Sequence, residues 1–198
     1  GYDCMVCVSH YEKAWIVEND VVKIFLNAER CWFDILEKKS GTQWLHDPWA
    51  DTVGELILKR KAKEKRSPSK ITVDLSASEE KSVSGTVNGL RVQLSRFKVD
   101  GKNVGGSLTF ELLIPEDSEH RVKVKVTNFQ LMDPQYTPKQ LHFPCRAFSL
   151  KTAGDRGYLV APCIQGCILP RARRLFRRLN RLFPDRPMVP MKFPSVLS

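Results

Sequence analysis

The sequence has few features that point to a membrane span or to a familiar catalytic motif. No run of about 18 uncharged apolar residues occurs, so we expect no membrane-spanning helix. A G-x-S-x-G elbow, a P-loop and a G-x-G-x-x-G loop are all missing, which removes the usual signatures of serine hydrolases and nucleotide-binding domains. Residues 1–4 also lack the basic-then-apolar pattern of a secretion signal, so none is expected in this stretch.

Positive charge is present in excess but unevenly distributed. The 198 residues include 32 Lys and Arg against 22 Asp and Glu, a net charge of +10. Residues 171–198 hold eight basic residues and one acidic residue, so +7 of that charge lies in the tail and +3 in the body. The 42% apolar fraction is enough for one folded domain. Polyanion binding is therefore expected of the tail rather than of the body.

Helical periodicity is nearly absent before residue 170, whereas alternation of apolar and polar residues is frequent. In residues 121–127, valines alternate with cations. Apolar and polar residues also alternate in residues 90–95, and that alternation slips at Arg96 and Phe97, which predicts a bulge. Strands are predicted at residues 14–18, 21–26, 30–36, 53–60, 70–75, 81–87, 90–95, 107–114, 121–127, 141–149, 157–161 and 163–169. Short strands separated by turns predict an all-β fold, an antiparallel β-sandwich over residues 1–170.

The hydrophilic run at residues 59–70 interrupts the body. Six of the eight residues from Lys59 to Arg66 are cationic, and a Ser-Pro-Ser sequence follows. One interpretation is a solvated hairpin loop, and the other is an anion-binding or nuclear-import patch.

The six cysteines allow several states. We expect mostly buried thiols. A zinc site combining Cys4 and Cys7 with Cys163 and Cys167, or one disulfide between distant segments, is the alternative. Cys163 and Cys167 are predicted to lie in one strand, about 13 Å apart, which is too far for a disulfide between them. We predict no metal and no cofactor.

The best-founded functional surface is aromatic. Trp44 and Trp49 lie beside turns, close to His46 and Asp47. Trp32 and Phe33 are neighbours in a predicted strand, so we expect one of the two to be buried. Sugar rings stack their C–H faces on indole and bond their hydroxyls to acids or histidine. We therefore predict a carbohydrate-binding patch; its candidate residues are Trp44, His46, Asp47, Trp49, His142 and Arg146.

Three stretches resemble a known family. Residues 17–49 contain N-D, D-x-x-x-K-K-S-G and a following tryptophan, residues 143–148 read FPCRAF, and residues 155–170 contain G-Y-L-V-A-P and Q-G-C-I-L-P. In this order they resemble the galactose-mutarotase-like supersandwich domain that precedes the catalytic barrel of bacterial glycoside hydrolases. The resemblance implies a sugar-handling accessory domain that binds oligosaccharide, with the barrel missing from this chain. We expect no complete catalytic apparatus, because no pair of carboxylates has the expected arrangement.

The tail is predicted to be a separate element. Residues 171–183 form an amphipathic helix when projected at about 100° per residue, and Pro184 ends it before a Pro-rich segment, residues 184–198. The polar side carries Arg171, Arg173, Arg174, Arg177, Arg178 and Arg181. The helix is expected to dock on the sandwich, to bind an anionic membrane surface or nucleic acid, or to be a non-native product of a shifted reading frame. The second option is the alternative function: a basic interaction module.

Overall fold

The fold is given by a computed structural model. It describes residues 5–46, 51–61, 70–117, 120–144, 149–151, 158–161 and 167–170, the last three ranges by backbone alone. The predicted helix at 171–183 and the Pro-rich segment 184–198 lie outside the described residues.

The described residues form fifteen strands and one short 3₁₀ helix, with no α-helix among them. The strands are β1 (Cys7–Tyr11), β2 (Ala14–Glu18), β3 (Val22–Asn27), β4 (Phe33–Glu37), β5 (Gln43–Leu45), β6 (Glu55–Arg60), β7 (Lys70–Asp74), β8 (Glu80–Thr86), β9 (Gly89–Val99), β10 (Lys102–Leu113), β11 (Lys123–Gln130), β12 (Tyr136–His142), β13 (Ser149–Lys151), β14 (Tyr158–Ala161) and β15 (Cys167–Pro170). The 3₁₀ helix, Leu75–Ala77, follows β7.

The strands form three sheets and a separate hairpin. The six-stranded sheet has the order β1-β2-β3-β4-β5-β13, the four-stranded sheet β11-β10-β9-β8 and the three-stranded sheet β12-β6-β7, while β14 pairs with β15. All of the pairings between described strands are antiparallel. The prediction of an all-β fold with antiparallel sheets is therefore confirmed.

One apolar core joins the three sheets. Ile24 and Phe33 of the six-stranded sheet, Leu58 of the three-stranded sheet, and Leu94 and Phe110 of the four-stranded sheet belong to the same buried cluster. All of these except Leu58 alternate in sequence with more exposed residues, because successive side chains of a strand point to opposite faces. The resulting architecture is sandwich-like, with inner faces that are apolar and outer faces that are polar.

The irregularity predicted at Arg96 and Phe97 is confirmed. Arg96 has a φ of 61°, and the pairing of β9 with β10 shifts between Asn103 and Gly105. Because of this irregularity, Leu94 and Phe97 are both buried although two more exposed residues separate them. Gly106, with a φ of 91°, lies against this phenylalanine: a Cβ there would be 2.7 Å from Cδ2 of Phe97.

The hydrophilic run at 59–70 connects the two strands of a hairpin, because Lys59 of β6 is opposite Lys70 of β7. Residues 62–69 between them lie outside the described residues. The interpretation of this loop as an anion-binding or nuclear-import patch therefore stays a prediction. The prediction of a hairpin at this position is confirmed.

The valines of β11 face the predicted side but are less buried than expected. Val124 is opposite the buried Leu112, and Val126 is opposite the buried Phe110. Val126 is nevertheless 42% exposed, because β11 lies at the edge of its sheet and no described strand continues beyond it.

The expectation of buried thiols holds for Cys31 and is wrong for Cys7. Cys31 is fully buried and Cys7 is exposed, and both are free thiols. Burial raises the pKa of the Cys31 thiol to about 11. Cys4, Cys145 and Cys163 lie outside the described residues, as does the side chain of Cys167.

Candidate functional site

The candidate site lies at one end of the β3–β4 hairpin, on the outer face of the six-stranded sheet. Phe33 and Ile35 of β4 point into the core, so Asp34 between them points outwards. Asp34 is opposite Phe25 of β3, and the Phe25 ring lies 6.0 Å from that of Trp32, which immediately precedes β4. Alternation with two buried residues therefore places an aromatic group and a carboxylate on the same surface.

His46 joins this surface from the end of β5. Its backbone N–H donates to Oδ1 of Asp34 at 2.8 Å, and its ring Nδ1 lies 2.7 Å from the same oxygen. Because a carboxylate accepts hydrogen bonds, Nδ1 of His46 is the donor in this contact. The imidazole also stacks on Trp32, with ring centroids 3.7 Å apart and an interplanar angle of 11°. Trp32, Asp34 and His46 thus form one cluster.

Asp51 borders the cluster on its solvent side. The indole Nε1 of Trp32 donates to Oδ1 of Asp51 at 2.8 Å, and the Asp51 side chain remains 70% exposed. A carboxylate of this kind keeps free lone pairs that a hydroxyl group of a ligand can use. The aromatic pair of Trp32 and His46 consequently lies between two carboxylates, Asp34 and Asp51.

Arg30 fixes the position of Asp51. Its guanidinium donates twice to the backbone oxygen of Asp51, at 3.0 and 2.9 Å, and once to Oδ2 of Asp74 at 2.7 Å. A further bond runs to the backbone oxygen of Ser76 at 3.2 Å. Asp74 in turn accepts hydrogen bonds from the side chain of Thr52 and from the backbone of Ser76. This network connects the β3–β4 turn to the 3₁₀ helix and holds the border of the site rigid.

The chemical groups of the cluster are two aromatic rings and two carboxylates. Among the described residues, no hydroxyl or thiol group is hydrogen-bonded to His46. No group of three or more His, Cys, Asp and Glu residues in the described part of the chain could hold a metal ion. The cluster offers flat ring surfaces and hydrogen-bond acceptors.

The structure separates some of the predicted site residues. Trp44 is opposite Ile35 and packs against the core, so it lies on the other face of the sheet from Asp34. His142 ends β12, with Nδ1 4.0 Å from Oε2 of Glu55. Of the predicted residues that the structure describes, His46 alone belongs to the cluster with Trp32. The other predicted residues lie outside the described residues, namely Asp47, Trp49, Arg146, Arg171, Arg173, Arg174, Arg177, Arg178 and Arg181.

Sequence reasoning missed Asp34 and Arg30. Asp34 could have been found, because it lies between two apolar residues of a predicted strand and so must point away from the core. Arg30 gives no such signal, because its partner Asp74 is 44 residues away in the sequence.

A second histidine–tryptophan stack lies elsewhere in the same sheet. The rings of His10 and Trp15 are 4.0 Å apart, with an interplanar angle of 9°. No carboxylate among the described residues forms an ion pair with His10. The two stacks are therefore similar in ring geometry and different in their polar surroundings.

No protein-family model matches the chain, and no curated protein matches it. In the described part of the chain, no helix has the length and apolar character needed to cross a membrane.

Proposed function

We propose that the protein is a non-catalytic accessory domain that binds carbohydrate, in the manner of the supersandwich domains its sequence resembles. The observation that carries the proposal is the Trp32–His46 ring pair between the carboxylates of Asp34 and Asp51. A sugar ring needs an aromatic surface for its C–H groups and nearby acceptors for its hydroxyls. The sequence had suggested Trp44 as part of the ligand surface; the cluster favours Trp32 in its place.

A glycan array and calorimetry on the full chain test this function. We expect one class of oligosaccharide to bind, with an affinity that changes little between low and high salt, because stacking is not screened by ions. An array without signal from folded protein would refute the proposal. Release of the aryl group from aryl-glycosides by a pure sample would refute its non-catalytic part.

The two histidine–tryptophan stacks provide a matched pair of variants. We expect His46→Ala to weaken glycan binding about tenfold, because it removes a stacked ring and the bond to Asp34. His10→Ala removes an equivalent ring from the other stack and should leave the affinity unchanged. Equal losses in the two variants would show that the cluster is not the binding site.

The same titration addresses the alternative function. A basic module acting through residues 171–183 would bind anionic vesicles or nucleic acid with an affinity that falls steeply with salt. Deletion of residues 171–198 would abolish that binding and leave glycan binding intact.

A further inference from the structure

Strand β11 is an edge strand of the four-stranded sheet, and one of its edges is open among the described residues. It pairs with β10 on one side, and no described strand pairs with its other side. The backbone groups along an open edge are able to pair with another polypeptide.

On the inner face, a row of apolar residues crosses the four-stranded sheet and ends at this edge. Val83, Val92, Phe110 and Val126 lie directly opposite one another in β8, β9, β10 and β11. Val92 and Phe110 are fully buried, whereas Val126 is 42% exposed. One more strand bearing an apolar residue would cover Val126 as the other strands cover their neighbours.

On the outer face, the adjacent row consists of charged residues. Arg91 is opposite Glu111, with Nη2 3.6 Å from Oε1, and Glu111 is opposite Lys125. The charges alternate across the sheet and the row ends on an exposed cation. Because opposite charges on adjacent strands stabilise a sheet, an acidic residue is the complement of Lys125.

A groove runs beside the edge. Its apolar lining consists of Val122, Val124, Val126, Phe143 and Pro144. Its volume is about 560 Å³, and two cations, Arg121 and Lys123, line it as well. The ring centroids of Phe143 and the buried Phe110 are 4.7 Å apart, so the groove is continuous with the core.

We infer that β11 binds an additional strand from another polypeptide, one in which apolar and acidic residues alternate. The apolar side chains of that strand enter the groove between Val126 and Phe143. Its acidic side chains lie on the opposite face, beside Lys125. Backbone hydrogen bonds supply the affinity. The apolar row that ends at Val126 and the charged row that ends at Lys125 determine which strand sequences bind.

Neither a second copy nor an undescribed part of this chain fits the requirement. Pairing β11 with itself would bring lysines close to lysines between molecules of charge +10. Of the undescribed segments, only 62–69 and 171–198 are as long as the eight residues of β11, and each contains one acidic residue and no acidic–apolar alternation. Lysines on an edge also discourage self-association, which accounts for the cations but leaves the open groove unexplained.

The probe is a synthetic peptide in which valine and glutamate alternate over 8 residues, the length of β11. Binding to the full chain is measured by fluorescence polarisation. We expect saturable binding that weakens with salt. A peptide with lysine in place of glutamate, and an acidic peptide with alternate backbone nitrogens methylated, should both fail to bind. Equal binding of either control, or no binding of the acidic peptide, would overturn the inference.

Two variants with the same change in charge locate the surface. Lys125→Glu should weaken binding of the acidic peptide about tenfold, because an attraction becomes a repulsion. Lys98→Glu reverses an exposed charge on β9, away from the β11 edge, and should have little effect. Equal losses would place the peptide elsewhere. If Lys125→Glu fails to fold, the three peptides on the unaltered protein decide the question.

Discussion

Cys7 and Cys31 are two free thiols in opposite surroundings, and their reactivity should differ accordingly. The thiolate is the reactive form of cysteine. Cys31 is fully buried, and its pKa is raised to about 11, so it is protonated and inaccessible at neutral pH.

We therefore expect iodoacetamide at pH 8 to alkylate Cys7 in the folded protein and to spare Cys31. In denaturant, both should react. Peptide mapping by mass spectrometry reads the two sites separately, because Arg30 and Lys38 bound the peptide that contains Cys31. Alkylation of Cys31 at the rate of Cys7 without denaturant would contradict the burial described above.

Glu18 is stabilised in its ionised form by the fold. Its carboxylate is 2.7 Å from Nζ of Lys38, and the hydrogen bond from Lys38 lowers the pKa of Glu18 below its ordinary value of 4.5. A carboxyl group with a lowered pKa in the folded state stabilises the protein above the pKa of the unfolded chain, and this contribution is lost as the pH falls.

The expected result for Glu18→Gln is a decrease of about 0.5 kcal/mol in the free energy of unfolding at pH 7, as for other partly exposed ion pairs. The difference from the unaltered protein should shrink as the pH falls below 4.5 and disappear below the lowered pKa of the folded state, where Glu18 is protonated in both states. Urea denaturation at several pH values measures it. Glu29→Gln changes an exposed glutamate with no ion pair in the described residues and serves as the control. A difference that grows towards low pH would contradict the assignment.

At the scale of the elements, the bulge between β9 and β10 depends on Gly106. Its φ of 91° is unfavourable for other residues, and a Cβ would also be 2.8 Å from the backbone oxygen of Gln130. Gly101 shares the positive φ, at 74°, but has open space around it. The two glycines thus separate the effect of backbone conformation from that of a steric clash.

We expect Gly101→Ala to lower the free energy of unfolding by about 1 kcal/mol through the backbone alone. Gly106→Ala should cost about 2 kcal/mol more, because Phe97 and the β11 backbone have to move. Chemical denaturation of both variants gives the comparison. Equal losses would mean that the close approach to Phe97 does not constrain the bulge.

The strands were predictable where their pattern is local. Strand β2 has the bounds expected from its apolar run, whereas β5 is only three residues long and was missed. β10 begins at Lys102 instead of residue 107, because Gly105 and Gly106 interrupt the alternation without ending the strand. Local composition therefore fixes strand identity better than strand length.

The candidate site was harder to predict, because its contacts are long-range. The bond from Trp32 to Asp51 spans 19 residues. The outward direction of Asp34 follows from alternation, but its pairing with His46 depends on how β5 follows β4. The exposure of Val126 likewise depends on which strand is last in the sheet, and the order of strands is not encoded in any single segment.

At the scale of the whole molecule, the three sheets share a core rather than packing as separate units. Leu58 of the three-stranded sheet and Leu94 of the four-stranded sheet are both fully buried. They belong to one cluster that also contains residues of the six-stranded sheet. Loss of packing in one sheet removes contacts from the others, so the strands of the three sheets should unfold together.

This cooperativity can be tested with core variants in different sheets. Leu58→Ala and Leu94→Ala should each lower the free energy of unfolding by about 2–5 kcal/mol. In both variants, tryptophan fluorescence and far-ultraviolet circular dichroism should give coincident urea transitions, because Trp32 and Trp44 lie in or beside the six-stranded sheet and report on it directly. Leu141→Ala, at a residue that is 38% exposed, is the control and should cost much less. Separate transitions for the two probes in Leu58→Ala would mean that the three-stranded sheet unfolds independently, and that the shared cluster does not couple it to the rest.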